Sequence, residues 1–302
     1  MKIEANGISI EVEDSGGSGP AVLLIMGLGM QLVAWPQGFV QGLVDAGYRV
    51  IRHDNRDVGL SHHFNELGVP NLVWAMTQAR FGFTPRAPYQ LADMAHDAIG
   101  VLDALSIDCA HVLGVSMGGM IAQRIALAAP RRVLSLTSIM SSSGARGLPN
   151  PRPDVLRALM RKPKDNTPAA QLAHSMALFR LIGSPGFATT DAELKTGVLA
   201  AAARGVNRAG VARQLLAIGA DTQRAAELRC IKVPALVLHG KADPLVPFAC
   251  GADTARRIPD ARLVAIDGMG HDLAPGLLPL LLEPLLAHLA AVPTSQHKAE
   301  AA

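Results

Sequence analysis

Short apolar runs recur along the chain at ISIEVE (8–13), AVLLIM (21–26), YRVIR (48–52), HVLGV (111–115), VLSLTSIM (133–140), ALVLHG (235–240) and RLVAID (262–267). Most are continuous rather than alternating, the pattern of strands covered on both faces. Between them FVQGLVDAG, LADMAHDAIGVLDALS and MIAQRIALAAP carry apolar residues at helical spacing. Strand and helix therefore alternate, which predicts an α/β chain built on a doubly wound, mostly parallel sheet. The first two runs are expected to form a hairpin-like antiparallel edge around Asn6-Gly7.

The rhythm breaks between Ser143 and Cys230. Residues 144–167 are rich in Pro, Arg and Gly, and DVLRALMR, AAQLAHSMALFRLIG, DAELKTGVLAAAARG and NRAGVARQLLAIG then read as helices without a clear strand. They are expected to sit together over the sheet edge as an insertion, 144–229, between two core segments, 1–143 and 230–302. A second, shorter stretch, 62–89, reads as irregular. Near the C-terminus LAPGLLPLLLEPLLAHLAAV is apolar, but Pro275, Gly276, Pro279, Glu283 and Pro284 interrupt it. A core-packing helix is expected there, and no membrane partner. The final TSQHKAEAA is small and polar and is expected to fray.

A chain of 302 residues can bury a sizeable core. Lys+Arg 28 against Asp+Glu 25 leaves a formal charge of +3, and no Lys/Arg-rich block tracks a phosphate backbone, which argues against nucleic acid as a partner. The three cysteines, Cys109, Cys230 and Cys250, are odd in number and widely spaced. They suit a reducing compartment, as buried thiols, rather than a disulfide framework or a zinc site. The opening MKIEANGISIEVED lacks the basic start and apolar run of an export signal, so a cytoplasmic location is expected.

The chemistry concentrates at HVLGVSMGGMIAQRIA (111–126). Gly114-Val-Ser-Met-Gly118 matches G-x-S-x-G, a weak signal alone but a stronger one between a strand and a helix. Glycines permit so tight a bend, which lifts Ser116 Oγ clear of the sheet and aims helix-start amides at the same space. The alternative is a serine that merely caps a helix. A serine hydroxyl needs a base and a group to orient it. In the order nucleophile, acid, base, RLVAIDGMGHDL supplies His271 after a late strand, and ALVLHGKADPLVP supplies Asp243 after the preceding one. Asp267 and Asp272 neighbour His271 along the backbone and are expected to point away from its ring. Oxyanion donors are assigned to the backbone amides of Leu28, in the glycine-rich turn MGLG after AVLLI, and Met117. That turn lacks the G-x-G-x-x-G register of a nucleotide cradle. His53, Asp54, Asp57, His62 and His63 cluster at HDNRDVGLSHH, but their spacing fits no zinc pattern, and neither metal nor cofactor is expected.

Taken together, these motifs resemble the α/β-hydrolase family over nearly the whole chain. Gly114–Gly119 is similar to its nucleophile elbow, Gly240-Lys-Ala-Asp-Pro244 to its acid loop and Gly268-Met-Gly-His271 to its base loop. Asp54-Asn-Arg-Asp-Val-Gly-Leu-Ser61 resembles its D-x-R-x-x-G-x-S segment. The resemblance implies an eight-stranded, mostly parallel sheet flanked by helices, with the insertion as a helical cap between strands six and seven. Many relatives carry histidine where this chain has Met26, but backbone amides perform the chemistry there. MGLGMQLVAWP with RHDNRDVGLS is most similar to a bacterial subgroup that includes an anthracycline methyl esterase.

Related dehalogenases and epoxide hydrolases place aspartate at the elbow, where this chain has Ser116, and epoxide opening uses cap tyrosines. The only tyrosines here, Tyr48 and Tyr89, precede the cap. Acyl transfer is therefore expected: hydrolysis of a small to medium apolar carboxylic ester through an acyl-enzyme. Lactonase, carbon–carbon hydrolase and perhydrolase activities use the same triad, and some members of this fold act as ligand receptors. The cap residues Met160, Met176, Leu178, Phe179, Leu181 and Ile182 fit either an apolar pocket wall or a cap core.

Overall fold

The computed structural model describes residues 1–161, 163–165 and 167–292. The tail 294–302 lies outside them. Eight strands, β1 (Lys2–Ala5), β2 (Ile8–Asp14), β3 (Ala21–Ile25), β4 (Arg49–His53), β5 (Ala110–Val115), β6 (Val133–Ile139), β7 (Ala235–Gly240) and β8 (Arg262–Ile266), form one sheet in the order β1-β2-β4-β3-β5-β6-β7-β8. From β4 onward every pairing is parallel, while β1, β2 and β4 pair antiparallel.

The helices of the core are α1 (Gln37–Asp45), α2 (Leu72–Arg80), α3 (Leu91–Ala104), α4 (Met117–Ala128), α10 (Phe248–Arg257) and α11 (Leu278–Ala290). Five more, α5 (Pro153–Met160), α6 (Pro168–Ile182), α7 (Asp191–Ala203), α8 (Arg208–Ala220) and α9 (Arg224–Glu227), lie between β6 and β7. Side chains alternate across a strand, so β3 sends Val22 and Leu24 to one apolar layer and Leu23 and Ile25 to the other. The first layer is closed by Phe39 and Leu43 of α1 and by Leu281, Leu285 and Leu289 of α11, the second by α3 and α4. Each buried leucine of α11 stabilises the fold by about 1.5–3 kcal/mol. Among the described residues no helix is long and apolar enough to cross a membrane.

Three expectations need correction. The N-terminal hairpin around Asn6-Gly7 pairs β1 with β2, whereas AVLLI is an interior parallel strand between β4 and β5. All five of its side chains are buried, and only an interior position covers both faces. The stretch 62–89 holds helix α2, whose start is capped by Asn71 Oδ1 accepting from Trp74 N at 2.9 Å. Val73 and Trp74 point to solvent while Ala75 is buried. Finally, of the cysteines only Cys250 is buried; Cys109 is half-buried and Cys230 exposed, both in connections outside the sheet.

Three of the helices between β6 and β7, α6, α7 and α8, start on side-chain caps. Thr190 and Glu193 form a reciprocal capping box on α7, and Asn207 Oδ1 accepts from Gly210 N at 2.9 Å on α8. No residue of α7 is buried and only Ile182 of α6 is. Helix α8 differs, because its buried face is partly polar: Arg213 and Gln214 are both fully buried.

Candidate active site

Strand β5 turns into α4 through one residue, Ser116, held at φ 54° and ψ −120°. A non-glycine residue in that region costs on the order of 1–3 kcal/mol, and the neighbours enforce it. Its amide extends the β5–β6 ladder by donating to Ile139 O at 2.9 Å, and its carbonyl accepts from Ser141 Oγ at 2.6 Å. A Cβ at Gly114 would collide with Gly118 O, and one at Gly118 with Ile25 O. The glycines thus bring α4 onto the ends of β5 and β3. Val115 and Met117 are buried while Ser116 is half-buried, so the bend presents its hydroxyl outward from the sheet.

His271 and Asp243 reach the same point from loops after β8 and β7. His271 Nε2 lies 3.0 Å from Ser116 Oγ, and His271 Nδ1 donates to Asp243 Oδ2 at 2.7 Å. The other carboxylate oxygen, Oδ1, accepts from the amides of Leu245 (2.9 Å) and Val246 (2.8 Å), which fixes the plane of the acid. With Nδ1 donating, the neutral imidazole presents a lone pair at Nε2 to the serine hydroxyl. His239 Nε2 lies 3.6 Å from Asp243 Oδ2 but donates to Val246 O at 2.7 Å. Burial pushes the His239 imidazole below its ordinary range.

The flanking carboxylates are engaged elsewhere. Asp267 is exposed beside Lys241 at 2.9 Å. Asp272 accepts from Ser184 Oγ, and burial raises its carboxyl above the usual range. The base loop is anchored on the C-terminal end of α6: His271 N donates to Ile182 O at 2.7 Å and Gly270 N to Ser184 Oγ at 2.8 Å. Ser184 carried no motif that sequence reading recognises.

The turn after β3 closes over the serine, since a Cβ at Gly27 would lie 3.2 Å from Ser116 Cβ. Asn55 Nδ2 holds this turn by donating to Met26 O at 3.0 Å. Among the described residues the amides of Leu28 and Met117 have no hydrogen-bond acceptor, whereas the next amide, Gly29 N, is committed to Gln214 Oε1 at 2.9 Å. Gln214 was missed from sequence. Its signal was a polar residue three positions after Val211 on the face that α8 turns inward.

The segment 54–61 is scaffold. Asp54 accepts from Leu32 N (2.7 Å) and Leu60 N (2.9 Å) and pairs with Arg204, and a Cβ at Gly59 would strike its carboxylate. Arg56 pairs with Asp97 at 2.6 Å, and Asp57 with Arg213 at 2.6 Å. Burial opposes the Asp57 charge, but Arg213, the Phe64 amide and the Tyr89 hydroxyl together hold its carboxyl below the usual range. His53 is fully buried, His63 Nε2 donates to Gly59 O at 3.1 Å, and His62 stacks edgewise on Phe64. Among the described residues no group of three or more His, Cys, Asp or Glu can hold a metal ion. Of the apolar residues expected in the cap, Ile182 is buried under the base loop, while Met160 is 68% exposed and is not part of a packed core.

A strand–serine–helix bend, acid and base loops after successive strands and helices between β6 and β7 define the α/β-hydrolase architecture. The chain belongs to that family, matching its alpha/beta hydrolase fold over residues 20–274. It is 31% identical over 291 residues to a rhodomycin D methylesterase of Streptomyces peucetius, covering 89% of each chain. It is 32% identical to the rhodomycin D methylesterase of Streptomyces sp. strain C5, again with 89% of each chain covered. A bromoperoxidase structure from Bacillus anthracis superposes with a TM-score of 0.73 at 21% identity over 96% of this chain and 100% of the other, which speaks to the fold alone.

Proposed function

We propose that the protein hydrolyses a carboxylic ester through an acyl-enzyme on Ser116, with His271 as general base and Asp243 as the acid that orients it. The observation that carries this reading is the unbroken line from Asp243 Oδ2 through both ring nitrogens of His271 to Ser116 Oγ, with steps of 2.7 and 3.0 Å. Ser116 Oγ attacks the ester carbonyl as its proton passes to Nε2. The tetrahedral oxyanion is received by the Leu28 and Met117 amides, whose hydrogens have no other acceptor among the described residues. Collapse returns the proton to the leaving alcohol, and water repeats the sequence on the acyl-enzyme.

A small to medium apolar ester is the substrate, and the two methylesterase relatives favour a methyl ester. Residues 144–229 act as the cap over a core made of 1–143 and 230–302. The three unpaired cysteines support a cytoplasmic setting. The test is turnover of a panel of methyl and p-nitrophenyl esters by wild type and Ser116→Ala, with lactones as a parallel arm. Saturable hydrolysis lost in Ser116→Ala supports the reading, and undiminished turnover in that variant removes it. Tight ligand binding without turnover would make the protein a receptor instead.

A further inference from the structure

We infer that Gln214 on α8 is a positioning residue that sets the oxyanion-binding amide of Leu28, an inference that rests on the acyl-transfer reading above. The turn 26–31 has little structure of its own: among the described residues its one internal backbone hydrogen bond is Met30 N to Gly27 O, at 3.1 Å. Two glycines, Gly27 and Gly29, leave it free to rotate, and Gly29 sits at φ +66°. Its orientation must therefore come from outside.

Asn55 holds one end of the turn at Met26 O, and Gln214 supplies the constraint next to Leu28. The Gln214 side chain is fully buried, and both ends of its amide are used: Oε1 accepts from Gly29 N at 2.9 Å and Nε2 donates to Arg56 O at 2.8 Å. The first bond fixes the peptide plane that follows Leu28. The second ties the carboxamide to the buried 54–57 segment, so its direction cannot drift. One turn earlier on α8, Val211 packs on the same glycine, where a Cβ would approach Val211 Cγ2 to 2.7 Å. Gln31 at the far end of the turn donates to Ala201 O (2.9 Å) and Gly205 O (2.8 Å), a second tether to the same side of the molecule. The helices between β6 and β7 are thus part of the oxyanion machinery, and α8 carries the contact nearest the reacting atoms.

Replacing Gln214 by Met keeps its length and removes the acceptor for Gly29. Small misplacements of a transition-state donor cost up to about 100-fold in rate. Gln214→Met is expected to lower kcat by about 10- to 100-fold with KM within about threefold. Affinity for an alkylboronic acid, which forms a tetrahedral anionic adduct on the serine, is expected to fall with it. Gln214→Glu, whose protonated form accepts from Gly29 and donates to Arg56 in the same places, is expected to recover most of both. Should Gln214→Met fail to fold, Gln214→Asn, which withdraws the acceptor by one methylene, is read in the same way. A folded Met or Asn variant with wild-type kcat and boronate affinity overturns the inference, as does a kcat loss with boronate affinity unchanged. Ser116→Ala in the same assay separates the two claims. If it is inactive while Gln214→Met is not impaired, only the positioning role falls; if it stays active, both fall.

Discussion

Asp243 and His271 are joined by a 2.7 Å hydrogen bond from Nδ1 to Oδ2, while the second oxygen of Asp243 is held by two backbone amides. The acid therefore has one free orientation. In Asp243→Asn the remaining oxygen keeps the Leu245 and Val246 amides, so the new NH2 group faces Nδ1. An imidazole that accepts at Nδ1 carries its proton on Nε2 and no longer receives one from Ser116. A kcat loss of about 10⁴-fold is expected, with a melting temperature close to wild type. Steady-state kinetics alongside thermal melting check this, and activity within tenfold of wild type would assign the acid elsewhere.

The elbow depends on backbone contacts that leave no room for a side chain. Gly118→Ala would drive a methyl group into Ile25 O at the end of β3. A destabilisation of about 1–3 kcal/mol is expected, together with loss of esterase activity at temperatures where the variant stays folded. Denaturant unfolding and kinetics measure both, and an unaffected variant would mean that β3 and α4 do not approach as described.

Arg213 and Asp57 form a fully buried ion pair that fastens α8 to the core. Removing only the cation leaves the Asp57 carboxylate buried without a counter-charge, held by the Phe64 amide, the Tyr89 hydroxyl and Asn207 Nδ2 alone. Arg213→Met is expected to cost about 3–5 kcal/mol in urea unfolding. Arg213 lies beside Gln214, but its loss is expected to lower stability far more than kcat of the folded fraction, which sets it apart from the Gln214 variants.

Burial pushes His111 down to about 4 from an ordinary 6.5, with His288 nearby adding to the effect; His53 and His239 are lowered by burial as well. The folded state thus binds fewer protons than the unfolded chain in this window, so stability rises with pH across it. Stability is expected to be complete above about pH 6.5 and to decline as pH falls towards 4, with His111 contributing on the order of 3 kcal/mol. His111→Gln is expected to flatten part of that decline in melting temperature. A decline identical to wild type would exclude His111 as a source.

Much of this architecture was legible in the residues because local rules and tertiary need agree. Apolar runs covered on both faces mark the parallel strands, and the glycines at 114, 118, 268 and 270 mark turns where backbone must approach backbone. The candidate residues Ser116, Asp243 and His271 could be proposed because each follows a strand end in a fixed order, and the structure brings the three within hydrogen-bonding reach of one another. Helix α2 was hidden because its sequence, LVWAMTQAR, sets apolar residues side by side rather than at helical spacing, with Val73 and Trp74 facing solvent. The hairpin was misassigned because a four-residue edge strand, KIEA, carries too little pattern to compete with AVLLI. Gln214, Ser184 and Arg204 were invisible for another reason: their partners lie between 86 and 185 positions away, and no local spacing encodes such a bond.

The central claim, that Ser116 is the nucleophile activated by His271, is tested most directly by intact-mass and peptide mapping after reaction with an organophosphonate ester. A single adduct on Ser116 is expected in wild type, formed far more slowly in His271→Ala and absent in Ser116→Ala. An adduct on another residue, or one that forms at the wild-type rate without His271, would contradict it.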